Sequence, residues 1–262
     1  MLHDYVILCI AAALGGAVNS IAGGGTLLTF PALFAALGSS PVDAVIANAT
    51  STVALVPGSI AALFGYRREI QHERRWSVLL LAPSLVGGFV GSLLVVVLPP
   101  ELFKAAVPWL ILTAALLFTL QPQIARWTGI GMKHEGSPSS GLVGAAIVFQ
   151  LFVAIYGGYF GAGIGILMLS ALALMGLNDI HRMNAIKTLL ASVINGTSVV
   201  VFVATGKVHW PYALAMALAS TVGGYIGAHT ARRIDRSVVR AIVVAIGFSL
   251  AGYYFYRQLL AG

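Results

Sequence analysis

The stretch that decides the fold is Ile21-Ala22-Gly23-Gly24-Gly25-Thr26, where three consecutive glycines interrupt a long apolar segment. A second interruption, Tyr159-Phe160-Gly161-Ala162-Gly163-Ile164-Gly165, ends another long apolar segment in the second half of the chain. Each interruption is followed by an unusually short apolar segment, at 26–37 and at 164–176. Glycine disfavours a continuous helix because its backbone loses the most conformational freedom on folding. The sequence therefore predicts two long helices that each end at a glycine-rich break and are followed by a short helix.

The composition around these breaks is that of a membrane protein. The 262 residues are 59% hydrophobic and only 9% charged, against about 25% charged in an ordinary soluble domain. Long apolar runs of this kind are stable only in contact with lipid or with other buried helices. The net charge of +7 is explained by basic loops on the cytoplasmic side. The single cysteine, Cys9, excludes an intrachain disulfide and a cysteine metal cluster.

The apolar segments form two similar sets of five. Their lengths favour helices, since a membrane-spanning strand needs only about 10 alternating residues. We predict an all-α polytopic membrane protein with two repeats, 1–121 and 141–262, joined by a cytoplasmic linker at 122–140. Each repeat has four long helices and one short broken or re-entrant helix. The predicted segments are 4–22, 26–37, 42–66, 76–98 and 101–121 in the first repeat, and 141–160, 164–176, 179–205, 208–231 and 235–260 in the second.

The two sets also match in sequence. The constant shift in numbering that places Gly23 on Gly161 aligns a series of further glycine, alanine and threonine positions in the same order. A nearly equal shift places the pattern Gly87-Gly88-x-x-Gly91 on Gly223-Gly224-x-x-Gly227. Such an ordered series predicts an internal duplication.

Loop charge indicates the direction of the second repeat, because Lys and Arg concentrate on the cytoplasmic side of membrane proteins. If each repeat crosses four times, the two sides carry eight and seven basic residues, which is no asymmetry. If 26–37 and 164–176 are counted as extra passes or as returning arms, one side carries twelve basic residues and the other only Lys104, Lys207 and Arg257. This second count predicts inverted repeats, with both chain termini outside the cytoplasm.

We expect a substrate site at the two breaks. Inverted-repeat transporters bind their substrates where discontinuous helices meet near the membrane midplane. A half-helix that begins at Thr26 or Ile164 presents unpaired N–H groups and the positive end of its dipole. Glycine also lets an oxyanion approach the backbone closely. The alternative is that these glycines only permit close helix packing or a kink. The candidate residues at the breaks are Asn19, Gly23, Gly24, Gly25, Thr26, Gly161 and Gly163.

Polar residues in the helices that follow supply further candidates. Polar groups are costly in lipid unless they face the protein interior, and hydroxyl and amide donors suit an anion that must bind and then leave. The alternative for these groups is interhelical hydrogen bonding. Lys187 lies about eight residues into its segment, roughly 10–12 Å deep, and either attracts the anion or extends to the cytoplasmic surface. The candidates are Asn48, Thr50, Ser51, Lys187, Thr188, Ser192 and Asn195.

The polar residues do not suggest an enzyme. The sequence has no paired carboxylates, no nucleophile motif and no nucleotide-binding loop, and no histidine pair has zinc-ligand spacing on one helix. We expect no catalytic residue, no metal and no cofactor. No carboxylate lies deep in a predicted span, which disfavours a carboxylate proton relay, and an interior-negative potential favours anion exit by about 2.3 kcal/mol per charge per 100 mV. We therefore expect anion export by alternating access, with an anion channel and a proton-coupled uptake permease as alternatives.

A family resemblance is carried by the run from Gly15 to Pro31, by the spaced residues Gly38-x-x-Pro41-x-x-Ala44, and by the second copy, Gly157-Gly158-Tyr159-Phe160-Gly161-Ala162-Gly163. With these residues the chain resembles the TauE/SafE family of sulfite exporters and anion permeases. The resemblance implies a multi-pass transporter of the cell membrane with seven or eight helices. It also implies a sulfur-containing anion, such as sulfite or sulfoacetate, as the substrate. We expect this small anion and the lipid bilayer as partners, with a homodimer as one assembly open to so small a transporter, and no nucleic acid.

Overall fold

The fold is helical throughout the residues that the structure, a computed structural model, describes: 2–21, 23–128, 140–175, 177, 179–230 and 236–261. These residues form eleven helices and no strand, which confirms the predicted all-α class. The helices are α1 (Leu2–Ile21), α2 (Thr26–Leu37), α3 (Pro41–Gly65), α4 (Arg67–His72), α5 (Arg74–Val97), α6 (Pro100–Trp127), α7 (Ser140–Tyr159), α8 (Ile164–Leu174), α9 (Ile180–Ala204), α10 (Trp210–Thr230) and α11 (Arg236–Ala261).

The helix boundaries follow the glycine and proline signals of the sequence. The short helix α2 has the predicted bounds, and α8 begins at the predicted Ile164. Residues 67–72, which we expected to form a loop, form the short helix α4 because Arg, Glu and Gln are good helix formers. Helix α6 continues through Pro122 to Trp127, so the predicted linker 122–140 overlaps its end. Residues 129–139 of that linker lie outside the described residues.

Seven helices among the described residues are long and apolar enough to cross a membrane, namely α1, α3, α5, α6, α7, α9 and α11. Large apolar side chains lie on the outer surface of the bundle, among them Phe64 with 70% and Leu218 with 74% of its surface exposed. Such exposure would be unfavourable in water and is expected against lipid. The chain is therefore a multi-pass membrane protein.

Helix α10 lies between α1 and α3, and all three run in the same direction. Along α1, the ring of Tyr5 packs edge-on against Tyr212 with 5.1 Å between ring centroids. Further along the same pair, the Ser20 hydroxyl donates to the Gly224 carbonyl at 3.1 Å. Residue numbers also rise together along α3 and α10, as their hydrogen bonds and close glycine contacts show.

Helix α5 lies between α7 and α9 in the corresponding way. The Gln150 amide of α7 donates to the Ser84 hydroxyl of α5 at 2.9 Å, and further along the pair the backbones of Gly158 and Gly88 are in close contact. Residue numbers also rise together along α5 and α9. The glycines at 87, 88 and 91 thus serve close helix packing, because any side chain there would overlap the neighbouring backbone or side chains.

The buried apolar side chains form two clusters. The first joins α1, α2, α3, α6, α10 and α11, with single buried residues of α5, α8 and α9, around the fully buried rings of Phe30, Phe103 and Phe118. The second joins α7, α8 and α9, with Leu80 of α5. The second break belongs to both, since Phe160 packs in the first cluster and Ile164 in the second. The boundary between the clusters therefore passes through the glycine-rich breaks.

Candidate functional site

The two glycine-rich breaks, which are far apart in sequence, meet in space. The Gly163 N–H donates to the Gly23 carbonyl at 3.3 Å. Gly23 and Gly161 have φ angles of 78° and 83°, a left-handed conformation that glycine adopts without steric cost. The buried Tyr156 hydroxyl donates to the Ala162 carbonyl at 2.9 Å and so holds the second break in place.

Each short helix folds back against the long helix before it. The backbone of Gly25 lies directly against the backbone of Gly15, so α2 returns along α1. A side chain on either glycine would separate the two helices. In the second pair, Ile164 at the start of α8 packs against Gly157 of α7. We call these pairs the α1–α2 hairpin and the α7–α8 hairpin.

A cavity of about 30 Å³ lies between the two hairpins and the long helices α3 and α9, and we call it the central cavity. A space of this size holds about two water molecules, so a larger ligand enters only if the walls move apart. The walls are formed by Asn19, Ser20, Gly23, Thr26, Leu55, Ser59, Ala62, Gly161, Ile164, Gly165, Lys187, Thr188, Ala191 and Asn195.

Two hydrogen-bonding side chains in the central cavity are not engaged by the protein. Asn19 donates to Ser59 at 3.0 Å, and Thr188 donates to a carbonyl one turn earlier in α9 at 2.7 Å. By contrast, the Thr26 hydroxyl and the Asn195 amide have no hydrogen-bond partner within the described residues. They lie on opposite walls, Thr26 at the start of α2 and Asn195 on α9, and are free to bind a ligand between them.

Lys187 brings a cationic side chain to the central cavity. Its surface is only 3% exposed, so it does not extend to the aqueous surface of the molecule. A charged group inside a span is costly unless it has partners, and Lys187 does interact with its surroundings. Helix α9, which carries Lys187, is capped by Asp179 just before its first residue. The Asp179 carboxylate accepts the N–H groups of His181 and Arg182 at 2.8 and 3.3 Å. These two bonds lower the pKa of Asp179, which lies at the surface.

Seven of the fourteen predicted site residues line the central cavity and seven do not. Three of the seven that do not line it have side chains that form hydrogen bonds elsewhere. Asn48 donates to the Tyr159 carbonyl at 3.0 Å, and Thr50 accepts the His209 N–H at 3.0 Å. Ser192 donates to a carbonyl within α9 at 2.8 Å. The others are Ser51, which pairs with a threonine of α2, Gly24, which faces the ring of Phe118, and Gly25 and Gly163, which make the backbone contacts described above.

Several lining residues are absent from the sequence-based set. The polar ones are Ser20 and Ser59. Ser59 lies two helical turns after Ser51, with Leu55 between them, so the spacing of four along one face of α3 contained a signal for it. Ser20 directly follows the predicted Asn19. The rest are glycine or apolar residues, which have no chemical signature in a membrane sequence.

The fold and the family comparisons together define the chain as a helical membrane transport protein. The model of the family described as "Sulfite exporter TauE/SafE" matches residues 8–254. The chain therefore belongs to the TauE/SafE family. Since this is a family of transporters, the comparison also confirms the expectation of a transporter rather than an enzyme.

Individual relatives are named as probable membrane transporters. The chain is 31% identical over 218 residues to the "Probable membrane transporter protein YfcA" of Escherichia coli strain K12, covering 83% of this chain and 77% of the relative. It is 28% identical over 250 residues to the "Probable membrane transporter protein ORF9" of a Sinorhizobium species, covering 95% and 91%. A Haemophilus influenzae relative named "Probable membrane transporter protein" is 26% identical over 244 residues, covering 92% and 90%. No solved structure matches significantly.

Proposed function

We propose that the protein exports a small sulfur oxyanion or organosulfonate, such as sulfite or sulfoacetate, by alternating access, and that the anion binds in the central cavity. One observation carries this proposal. The Thr26 hydroxyl, the Asn195 amide and the Lys187 ammonium group line the same cavity, at the point where the two breaks meet. A hydroxyl, an amide and a cation are all donors that suit the oxygens of a sulfonate.

The chemistry of the cavity favours an anion that binds and is released. Thr26 and Asn195 are neutral donors, but the anion is a charged acceptor, so each of their hydrogen bonds contributes about 1.5–3 kcal/mol. Lys187 adds the attraction of an opposite charge to its hydrogen bond. Gly23, Gly161 and Gly165 leave the backbone open to close approach. These contributions together are compatible with a substrate that has to leave on the other side.

Two further observations support alternating access. The central cavity is bounded by α1, α2 and α3 on one side and by α8 and α9 on the other, so its two walls come from different halves of the chain. A movement of α8 and α9 away from the first wall would open the cavity, and it would have to part the contacts of Ile166 and Phe202 with the first cluster. Because the cavity holds about two waters in this state, such a movement is required for an oxyanion to enter.

Helix directions support the inverted arrangement of the two repeats. In the first half α1 and α3 pack in parallel with α10, and in the second half α7 and α9 pack in parallel with α5. Helix α5 follows α3 after only eight residues, six of which form α4, so α5 must cross the membrane in the direction opposite to α3. The α7–α8 hairpin then enters from the side opposite to the α1–α2 hairpin, and both tips meet inside.

Charge supports an orientation with both termini outside the cytoplasm. In this arrangement one end of the bundle carries the basic residues of α4, the start of α5, the end of α6 and the starts of α9 and α11. Among the basic side chains that the structure describes, and apart from Lys187 inside the bundle, the other end carries three. The residues at the first end are Arg67, Arg74, Arg75, Arg126, Arg182 and Arg240, and those at the other are Lys104, Lys207 and Arg257.

Purified protein in liposomes tests this function. We expect saturable flux of sulfite or sulfoacetate, accelerated by the same anion on the opposite side. Taurine and sulfate serve as competing substrates, and liposomes without protein as the blank. Flux that neither saturates nor shows counterflow would favour the channel, and flux driven by an imposed proton gradient would favour the uptake permease. If none of the four compounds moves or protects the protein against heat, the proposed function is wrong.

A further inference from the structure

A second and larger cavity, of about 520 Å³, lies where the end of α2, the start of α6 and the end of α11 meet. We call it the outer cavity. Its polar wall consists of Glu101, Lys104, Arg257 and Gln258, and its apolar wall includes Phe34 and Tyr254. Because α6 begins here and α11 ends here, the outer cavity lies near one surface of the helix bundle.

The outer cavity carries a net positive charge. Lys104 and Arg257 contribute two positive charges against the one carboxylate of Glu101. Within the described residues no ion pair joins Glu101 to either cation. The Arg257 guanidinium is held against Tyr253, donating to its hydroxyl at 3.2 Å and lying 5.9 Å from the ring centroid. A concave wall of this charge concentrates small anions.

A chain of aromatic rings separates the outer cavity from the central cavity. Phe160 directly precedes Gly161, which lines the central cavity, and its ring lies 5.4 Å from that of Phe30. Phe30 stacks on Phe34 at 5.7 Å, and Phe34 lies 5.8 Å from Tyr254 of the outer cavity. The rings of Phe30, Phe34 and Phe160 are at most 3% exposed. Three buried rings therefore lie between the two cavities and close them from each other in this state.

We propose that the outer cavity is an anion-binding vestibule of the transport path, in which Lys104 and Arg257 hold a soluble sulfonate or carboxylate next to the aromatic cluster of Phe34, Phe30 and Phe160 that closes the central cavity. This inference rests on the proposed function, because it treats the aromatic cluster as the closed part of a path. The phosphate headgroup of an anionic lipid has the same charge and the same acceptor oxygens. The test therefore includes both sources.

Cysteine modification in nanodiscs measures the charge of the outer cavity without any transport assay. The background is Cys9→Ser, with a reporter cysteine at Ala105, which is exposed in the outer cavity. The matched control is a cysteine at Val97, which is 69% exposed at the end of α5 and outside the cavity lining. Each is treated with sulfonatoethyl and with trimethylammonioethyl methanethiosulfonate, which differ in charge, in discs of neutral phosphatidylcholine.

We expect the ratio of anionic to cationic modification rates to be at least about threefold higher at Ala105→Cys than at Val97→Cys. Sulfoacetate should slow modification at the first position only. The double change Lys104→Gln with Arg257→Gln should remove both effects, whereas Thr26→Val, in the central cavity, should leave both unchanged. The same rates are measured in discs that contain phosphatidylglycerol, which test whether the headgroup of an anionic lipid occupies the outer cavity.

Equal ratios at the two reporter positions would overturn the vestibule. Protection by phosphatidylglycerol without protection by sulfoacetate would also overturn it and assign the outer cavity to a lipid headgroup. These failures are distinct from failure of the proposed function. If the charge preference is absent while liposomes still transport the anion, only the vestibule is wrong. If the preference is present and no anion is transported, the vestibule as a binding site stands and the proposed function is wrong.

Discussion

The α1–α2 hairpin presents polar side chains to the central cavity, whereas the α7–α8 hairpin presents mainly glycine and isoleucine. Their backbones are alike, since Gly23 and Gly161 share the same left-handed conformation. Their side chains differ, because the shift in numbering that aligns these glycines places Thr26 on Ile164. The backbone break is thus common to both hairpins, and the hydrogen-bonding side chains are concentrated in the first hairpin.

The long helices behind the hairpins show the opposite bias. Helix α9 of the second half brings Lys187, Thr188 and Asn195 to the central cavity, whereas α3 of the first half brings Ser59 and apolar residues. A bound anion would therefore lie between the first hairpin and the long helix of the second half. The comparison suggests that a pair of similar backbones provides the enclosure, and that sequence divergence between the halves provides the selectivity.

The largest effect is expected from Lys187→Gln, which removes the charge that α9 contributes and α3 does not. Removing one partner of a buried, hydrogen-bonded charge pair costs about 2–5 kcal/mol, so KM for the anion should rise roughly 30- to 5,000-fold. Counterflow rates measured over a range of anion concentrations give this KM. Lys207→Gln, outside the cavity lining, is the control. An unchanged KM in Lys187→Gln would remove this lysine from the site.

Glycine substitution tests whether the breaks are needed for the fold itself. Gly163→Ala places a side chain where φ is 80°, with its nearest neighbour, a Leu117 carbon, 3.4 Å away. The space is adequate, so the expected destabilisation of about 1–2 kcal/mol comes from backbone strain. Gly196→Ala is the control, since this helical glycine has no neighbour within 4 Å and alanine favours helix. Thermal unfolding in detergent should give a lower midpoint for Gly163→Ala than for Gly196→Ala. Equal midpoints would show that the fold does not require the left-handed backbone conformation at residue 163.

A smaller effect on transport is expected from Thr26→Val, which removes the hydroxyl that distinguishes the first hairpin from the second. A hydrogen bond to a charged acceptor is worth about 1.5–3 kcal/mol, so KM should rise roughly 10- to 150-fold. Ile164→Val, at the matching position of the second hairpin, should leave KM unchanged. Equal effects of the two substitutions on KM would contradict the asymmetry between the hairpins.

The smallest effect concerns the starts of the long helices, where α9 is capped by Asp179 and α3 by Ser40. Two backbone N–H bonds lower the pKa of Asp179 in the folded protein. The stability it contributes is fully present above its unfolded pKa of about 3.9 and is lost as the pH falls through the lower folded value. Asp179→Asn keeps the cap, so unfolding midpoints should match those of the unchanged protein at pH 7 and fall less steeply below about pH 4. Identical pH profiles of the two proteins would show that ionisation of Asp179 contributes nothing to stability.

The features that sequence could predict are those with a local physical cause. The short helices α2 and α8 follow directly from the glycines before them, and the membrane class follows from the low charge. The orientation of side chains on α3 has no local cause. Asn48, Thr50 and Ser51 are polar residues in an apolar helix, yet the structure directs them to Tyr159, His209 and Thr29. Which face of a helix meets a cavity depends on the neighbouring helices, and a sequence alone does not specify them.

The meeting of the two breaks is also a tertiary property. Gly23 and Gly163 lie in different halves of the chain, and their hydrogen bond depends on the packing of both hairpins. The outer cavity likewise combines residues from α2, α6 and α11, none of which forms a motif. The sequence did indicate Lys187, because a lysine deep in a span is rare, and the structure places it in the lining of the central cavity.

The most direct test of the central claim is the heat stability of the purified protein in the presence of sulfoacetate. A ligand that binds only the folded protein stabilises it by about 2.7 kcal/mol at 100 times its dissociation constant. The unfolding midpoint of the unchanged protein should rise with sulfoacetate concentration. The rise should persist in the Lys104→Gln/Arg257→Gln variant and shrink strongly in Lys187→Gln and Thr26→Val. An undiminished rise in both of those variants would contradict binding in the central cavity, as would no rise in the unchanged protein.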